Sequence, residues 1–125
     1  ALKMAKQIVI HREKYKDLPL RFQKKLEHDL QYVTNAGIPG LKKICLFGSC
    51  ARDEVRSTSD IDLLILTESR ITDRTLTSDI RWTLDDPIDG VRTDVVFTSK
   101  GAERSSRIFK REVDRDKKLI LEVME

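Results

Sequence analysis

Between Leu18 and Gly37 the apolar residues Phe22, Leu26, Leu30 and Val33 recur at spacings of four, four and three, the mark of a helix with one buried face. Pro19 suits its first position, and Asn35 with Gly37 ends the pattern. A second helix is predicted from Thr72-Asp73, which can cap it, through Leu84, with Leu76, Ile80 and Leu84 at i, i+4 and i+8. Three short apolar runs read as strands: Lys42 to Phe47, Ile61 to Leu66, and Val91 to Phe97 with Asp94 at its middle. Cys50 to Arg56 reads as a short helix between the first two. At the ends of the chain, residues 3 to 16 read as a helix on Met4, Ile8 and Tyr15, although Ile8-Val9-Ile10 also suits a strand. Residues 102 to 124 read as a highly charged helix on Phe109, Val113, Ile120 and Met124. The expected fold class is α/β (α+β), a small mixed β-sheet with helices packed on it. Its single domain comprises a helical lead-in (1–37), a central sheet (41–98) and a C-terminal helix (102–124).

A length of 125 residues suits one hydrophobic core, and 36% charged against 39% hydrophobic residues is a globular balance. No apolar run approaches the length of a membrane span, and the N-terminus lacks the apolar stretch of a secretory signal, so a cytoplasmic location without membrane attachment is expected. Cys45 and Cys50 match neither a redox pair nor half of a zinc site and are read as reduced thiols. His11 and His28 have no companions at ligand spacing. The net charge of +3 hides a split: ten Lys and Arg against four Asp and Glu in residues 1–43, six against eleven in 44–99, and eight against six in 100–125. The basic N-terminal third is read as a solvated helix face, because its charges are interleaved with helix-spaced apolar residues and lack stacking aromatics; nucleic acid is not an expected partner. Trp82 sits off the apolar row of its helix, as either a core-edge residue or an exposed ring available for a base or a partner, with the core edge expected.

The acidic middle holds the candidate chemistry. Asp60 and Asp62 are two apart, so on a strand both carboxylates share a face and repel. Divalent cations, hard ions often held by one or two carboxylates plus substrate phosphates, offset that repulsion, so the pair predicts magnesium and a phosphate ester together. Upstream, the run Ile44 to Phe47 ends at Gly48-Ser49, a permissive turn offering backbone N–H groups and a hydroxyl to an anion. Asp94, in the middle of an apolar strand, is expensive without a partner. Beside the Asp60/Asp62 strand it would complete a three-carboxylate cluster for two metal ions, one activating an attacking hydroxyl and the other holding a triphosphate.

Gly48-Ser49, ten residues, Asp60-Ile61-Asp62, then Asp94 on a later strand resembles the signature of the DNA polymerase beta-like nucleotidyltransferase superfamily, and the small size resembles its minimal, antitoxin-like members. With each residue type at ~5–7% usage, a four-residue match at fixed spacing arises by chance with odds on the order of one in a thousand. The resemblance covers roughly residues 41 to 98 and implies the nucleotidyltransferase fold. It implies that Gly48 and Ser49 hold the β- and γ-phosphates, that Asp60 and Asp62 ligate two Mg2+ ions, and that Asp94 ligates the ion near the acceptor and helps deprotonate its hydroxyl. Arg52 matches the arginine of the small members' Gly-Ser-x-Ala-Arg-Gly run, where it would pair with a phosphate, with the acids, or in a structural salt bridge. Asp53 stands where those members commonly carry glycine. The implied activity is transfer of AMP from ATP to a hydroxyl, on a helical toxin-like partner protein. The alternative is a non-catalytic nucleotide-binding or antitoxin-like interaction module.

Overall fold

Five strands pair into one sheet in a computed structural model that describes residues 7–52, 54–100 and 117–124. They are β1 (Gln7–Ile10), β2 (Leu41–Phe47), β3 (Ile61–Thr67), β4 (Thr93–Ser99) and β5 (Lys118–Met124), in the spatial order β1-β5-β2-β3-β4. Neighbours run antiparallel except β3 and β4. A parallel pair needs a crossover, and here it contains helix α2 (Arg74–Asp85), whose N-cap Asp73 accepts a hydrogen bond from the Leu76 N–H at 3.0 Å. Helix α1 (Leu20–Asn35) precedes β2, with Pro19 at its N-cap.

Both helices cover the same face of the sheet. Phe22, Leu26, Leu30 and Val33 of α1 and Ile80 and Leu84 of α2 share one core with Ile44, Leu46, Ile61, Leu63, Ile65 and Val95. Side chains alternate along a strand, so the intervening residues Cys45, Phe47, Leu64 and Val96 form a smaller cluster with Leu119 on the other face. Asp62 and Asp94 belong by the same alternation to that second face.

An ion pair lies inside the larger core. Lys25 and Asp29 are both fully buried, 2.6 Å apart on successive turns of α1. The lysine also donates to the Leu84 carbonyl at 2.8 Å, and the Thr93 hydroxyl donates to the second oxygen of Asp29. Satisfied on every side, the pair ties α1 to the end of α2 and the first residue of β4, where an unpartnered buried charge would be severely destabilising.

The structure corrects three expected helices. Of the N-terminal one, residues 3–6 lie outside the described residues, and the rest is a strand at Gln7–Ile10 followed by a single 3-10 turn at Arg12–Lys14; the β-branched run Ile8-Val9-Ile10 favours extension along β5. Of the C-terminal helix, residues 101–116 lie outside the described residues, and Lys118–Met124 is an inner strand between β1 and β2. Its Ile120 and Leu121 are both fully buried in the larger core, which the register shift between them and β2 allows. In place of a helix at 50–56 there is a 3-10 turn at Gly48–Cys50. Trp82 is not at the core edge: it is 81% exposed.

Candidate active site

The site begins where β2 ends. Gly48 has φ +71°, a left-handed conformation, and a Cβ there would overlap the Asp62 carboxylate. Glycine therefore serves twice, by admitting the turn and by leaving room for the acid. The turn closes through Ala51 N–H to Gly48 O at 3.1 Å and Arg52 N–H to the same oxygen at 3.3 Å, and Glu54 N–H donates to Ser49 O at 3.0 Å. The chain returns at Asp60, whose carbonyl accepts from the buried Cys50 thiol at 3.6 Å. Burial first, then the charge of Asp62, pushes that thiol up to about 12.

Asp62 lies opposite Phe47 across β2 and opposite Asp94 across the parallel β4. Neighbouring strands are about 4.8 Å apart, so the two acids stand side by side on the face away from the helices, at the end of the sheet where the Gly48 turn lies. Asp60 and Asp94 are exposed and Asp62 is partly buried. Burial and then the charges of Asp94 and Asp60 push the Asp62 carboxyl up to about 6, with Arg52 opposing them. Two of the sequence-derived acids, Asp94 and Asp60, thus act electrostatically on the third. Arg52 contributes to the same field and pairs with Glu54 at 3.3 Å. Asp53 lies outside the described residues.

Among the described residues, no group of three His, Cys, Asp or Glu side chains converges closely enough to hold a metal ion. The donor set is nevertheless all oxygen, and its central member is raised by like charges, which a hard cation would offset. In donor chemistry the three acids fit a divalent ion, and two of them are exposed side chains with room to turn.

Sequence reasoning missed the interior residues behind the site. Lys25 and Asp29 read as part of a solvated helix face, yet Asp29 holds Thr93, the residue before Asp94. Their i, i+4 spacing between Phe22, Leu26 and Leu30 was the available signal. Between α2 and β4 lie two clefts that share Arg81. One of about 350 Å³ is lined by Trp82 and Asp94, and one of about 590 Å³ by Arg70 and Arg74.

The family model described as a nucleotidyltransferase domain matches residues 35–121. Among solved structures, a toxin-antitoxin with AMP-PNP is 24% identical, covering 74% of this chain and 70% of its own with a TM-score of 0.54. A variant of the MntA-HpeT toxin-antitoxin is 23% identical, covering 75% and 70%, with a TM-score of 0.55. A putative nucleotidyltransferase from Sulfolobus solfataricus is 26% identical, covering 80% and 79%, with a TM-score of 0.52. No curated protein matches. The first two likenesses bear on the fold alone.

Proposed function

We propose, from the premise that the chain belongs to the nucleotidyltransferase domain family and is a nucleotidyltransferase, that it transfers AMP from ATP, with magnesium, to a hydroxyl on a partner protein. The observation that carries this reading is the register of Asp62 and Asp94 beside a glycine turn that leaves room for the Asp62 carboxylate. The adenine donor and the protein acceptor are suggested by the toxin-antitoxin neighbours, one of them solved with AMP-PNP.

In this mechanism the N–H groups of the Gly48 turn and the Ser49 hydroxyl hold the terminal phosphates, and Arg52 adds positive charge beside them. Asp60, Asp62 and Asp94 would hold the two magnesium ions. Bound there, these would neutralise the triphosphate and acidify the acceptor hydroxyl. A carboxylate oxygen of Asp94 takes the acceptor's proton as its oxygen attacks the α-phosphorus, and pyrophosphate leaves in line. The protein positions the reactants and matches charge, and it forms no covalent intermediate.

Calorimetric titration of ATP, with and without magnesium, into the wild-type protein and Asp62→Asn tests this without knowledge of the acceptor. Binding that requires both magnesium and Asp62 is the expected result. Binding indifferent to both, or none under any condition, would overturn the site as assigned.

A further inference from the structure

The two clefts beside Trp82 lie along one strand. The smaller is lined by Thr93, Asp94 and Val95 and the larger by Phe97, Thr98 and Ser99, with α2 forming the opposite wall of each. Together they form a trough along nearly the whole of β4, whose seven residues extend about 23 Å at ~3.3 Å each.

Three features of this trough point to one kind of occupant. First, β4 is an edge strand that pairs, among the described residues, with β3 alone. Its outward N–H and C=O groups are therefore a template for another extended chain. Second, Arg70, Arg74 and Arg81 line the larger cleft, and none has a carboxylate partner among the described residues; Arg81 instead lies over the Phe97 ring at 5.1 Å. Third, Trp82 stands 81% exposed and lines the smaller cleft with Arg81, at the Asp94 end. Tryptophan and arginine are the residues most enriched at the energetic centres of protein interfaces.

From these features we infer that the trough between α2 and β4 docks an extended, acidic segment of the acceptor protein by edge-strand pairing, presenting its hydroxyl at Asp94. The inference rests on the proposed transfer reaction for the acceptor's role, but not for the binding. The trough has a direction. Its Asp94 end also carries Asp85 and repels carboxylates, whereas its Ser99 end carries Arg70 and Arg74 and attracts them. The segment's acids therefore lie toward Ser99 and its hydroxyl residue toward Thr93. A single nucleic-acid strand would satisfy the arginines and the ring but would leave the strand edge unused, so polypeptide is the better match.

Trp82 is the only tryptophan, and its fluorescence reports on the trough directly. The probe is a seven-residue peptide, matching the length of β4, with serine at one end, two glutamates at the other and threonine and valine between, made in both sequence directions. In EDTA, without nucleotide, at least one direction should give a saturable blue shift, weakened about tenfold by Arg70→Gln with Arg74→Gln. Of two versions N-methylated at alternate residues, one should lose binding and the other keep it, a control that requires no protein variant. Absence of a saturable shift, an equal response to a lysine-for-glutamate peptide, equal binding by both N-methylated versions, or tighter binding of oligothymidylate would each overturn the inference. Failure of the transfer reaction itself would appear in the ATP calorimetry and leave this measurement unmoved.

Discussion

Asp62→Asn is expected to abolish magnesium-dependent nucleotide binding and at the same time to stabilise the fold. The Asp62 carboxyl is raised from the ordinary 3.8 to about 6, by burial first and then by Asp94 and Asp60. Between those values the unfolded chain has lost its proton while the folded chain keeps it. The unfolded state thus binds fewer protons, and stability falls as pH rises through the interval, with the loss complete above about pH 6. At about 1.4 kcal/mol per pH unit, a gap of roughly two corresponds to about 3 kcal/mol. Because the side chain is only partly buried, screening by solvent reduces this to about 1 kcal/mol. Asparagine has nearly the same shape and does not ionise. Thermal melts of both proteins without metal should therefore coincide near pH 4 and diverge up to about pH 6, where the variant melts about 3–5 °C higher, with no further change above. Magnesium with ATP should raise the wild-type melting temperature and leave the variant's unchanged. A variant less stable than wild type at pH 8, or a difference independent of pH, would refute the electrostatic account of the site.

Gly48→Ala combines left-handed strain with overlap on Asp62 and should lose about 2–4 kcal/mol in urea denaturation. Gly37→Ala has the same φ of +71° and open space around it, so it should lose only about 1 kcal/mol; equal losses would remove the argument for the carboxylate contact. Lys25→Met leaves Asp29 buried without its cation and should lose about 3–5 kcal/mol, more than half of it recovered by adding Asp29→Leu. No recovery in the double variant would show that packing, and not charge, sets the loss. Both cysteines are buried and the Cys50 thiol is raised to about 12, so neither should react with iodoacetamide near pH 8 until urea is added. Rapid alkylation of the native protein would contradict the burial on which the Asp62 shift also depends.

The parts legible in the sequence are those that local pattern decides. Helix α1 follows from the spacing of Phe22, Leu26, Leu30 and Val33, and α2 from Asp73 and the row Leu76, Ile80 and Leu84. The Gly48 turn and β3 follow from the break between two apolar runs. What failed depended on pairing between distant residues. Ile8-Val9-Ile10 fits either periodicity when read alone, and only its pairing with Leu121-Glu122-Val123 decides for strands at both ends of the chain. Lys25 resembles its solvated neighbours in sequence; its burial is set by the Leu84 carbonyl, fifty-nine residues away. The position of Trp82 off its apolar row fitted a core edge as well as solvent, and the row faces the interior so squarely that the ring is left outside. For the acids, the two-residue spacing led to the expectation that Asp60 and Asp62 share a strand face, but β3 begins at Ile61, and the pairing of Asp62 with Asp94 needed the parallel register, which no local pattern contains.

The bond between Asp29 and Thr93 has a consequence for how this fold tolerates change. Along β4, odd-numbered Thr93 and Val95 face the helices, and Asp94 between them faces away. A slip of the strand by a single residue would drive Asp94 under α1 and turn Thr93 outward. The buried pair resists that slip, because a carboxylate already committed to Lys25 has one vacancy, and a hydroxyl fills it where a second carboxylate would be repelled. The interior thus keeps the strand's odd and even positions in order. Loops on either side of β4 can lengthen or shorten, so long as this one contact still counts the residues, without moving the third acid off its face.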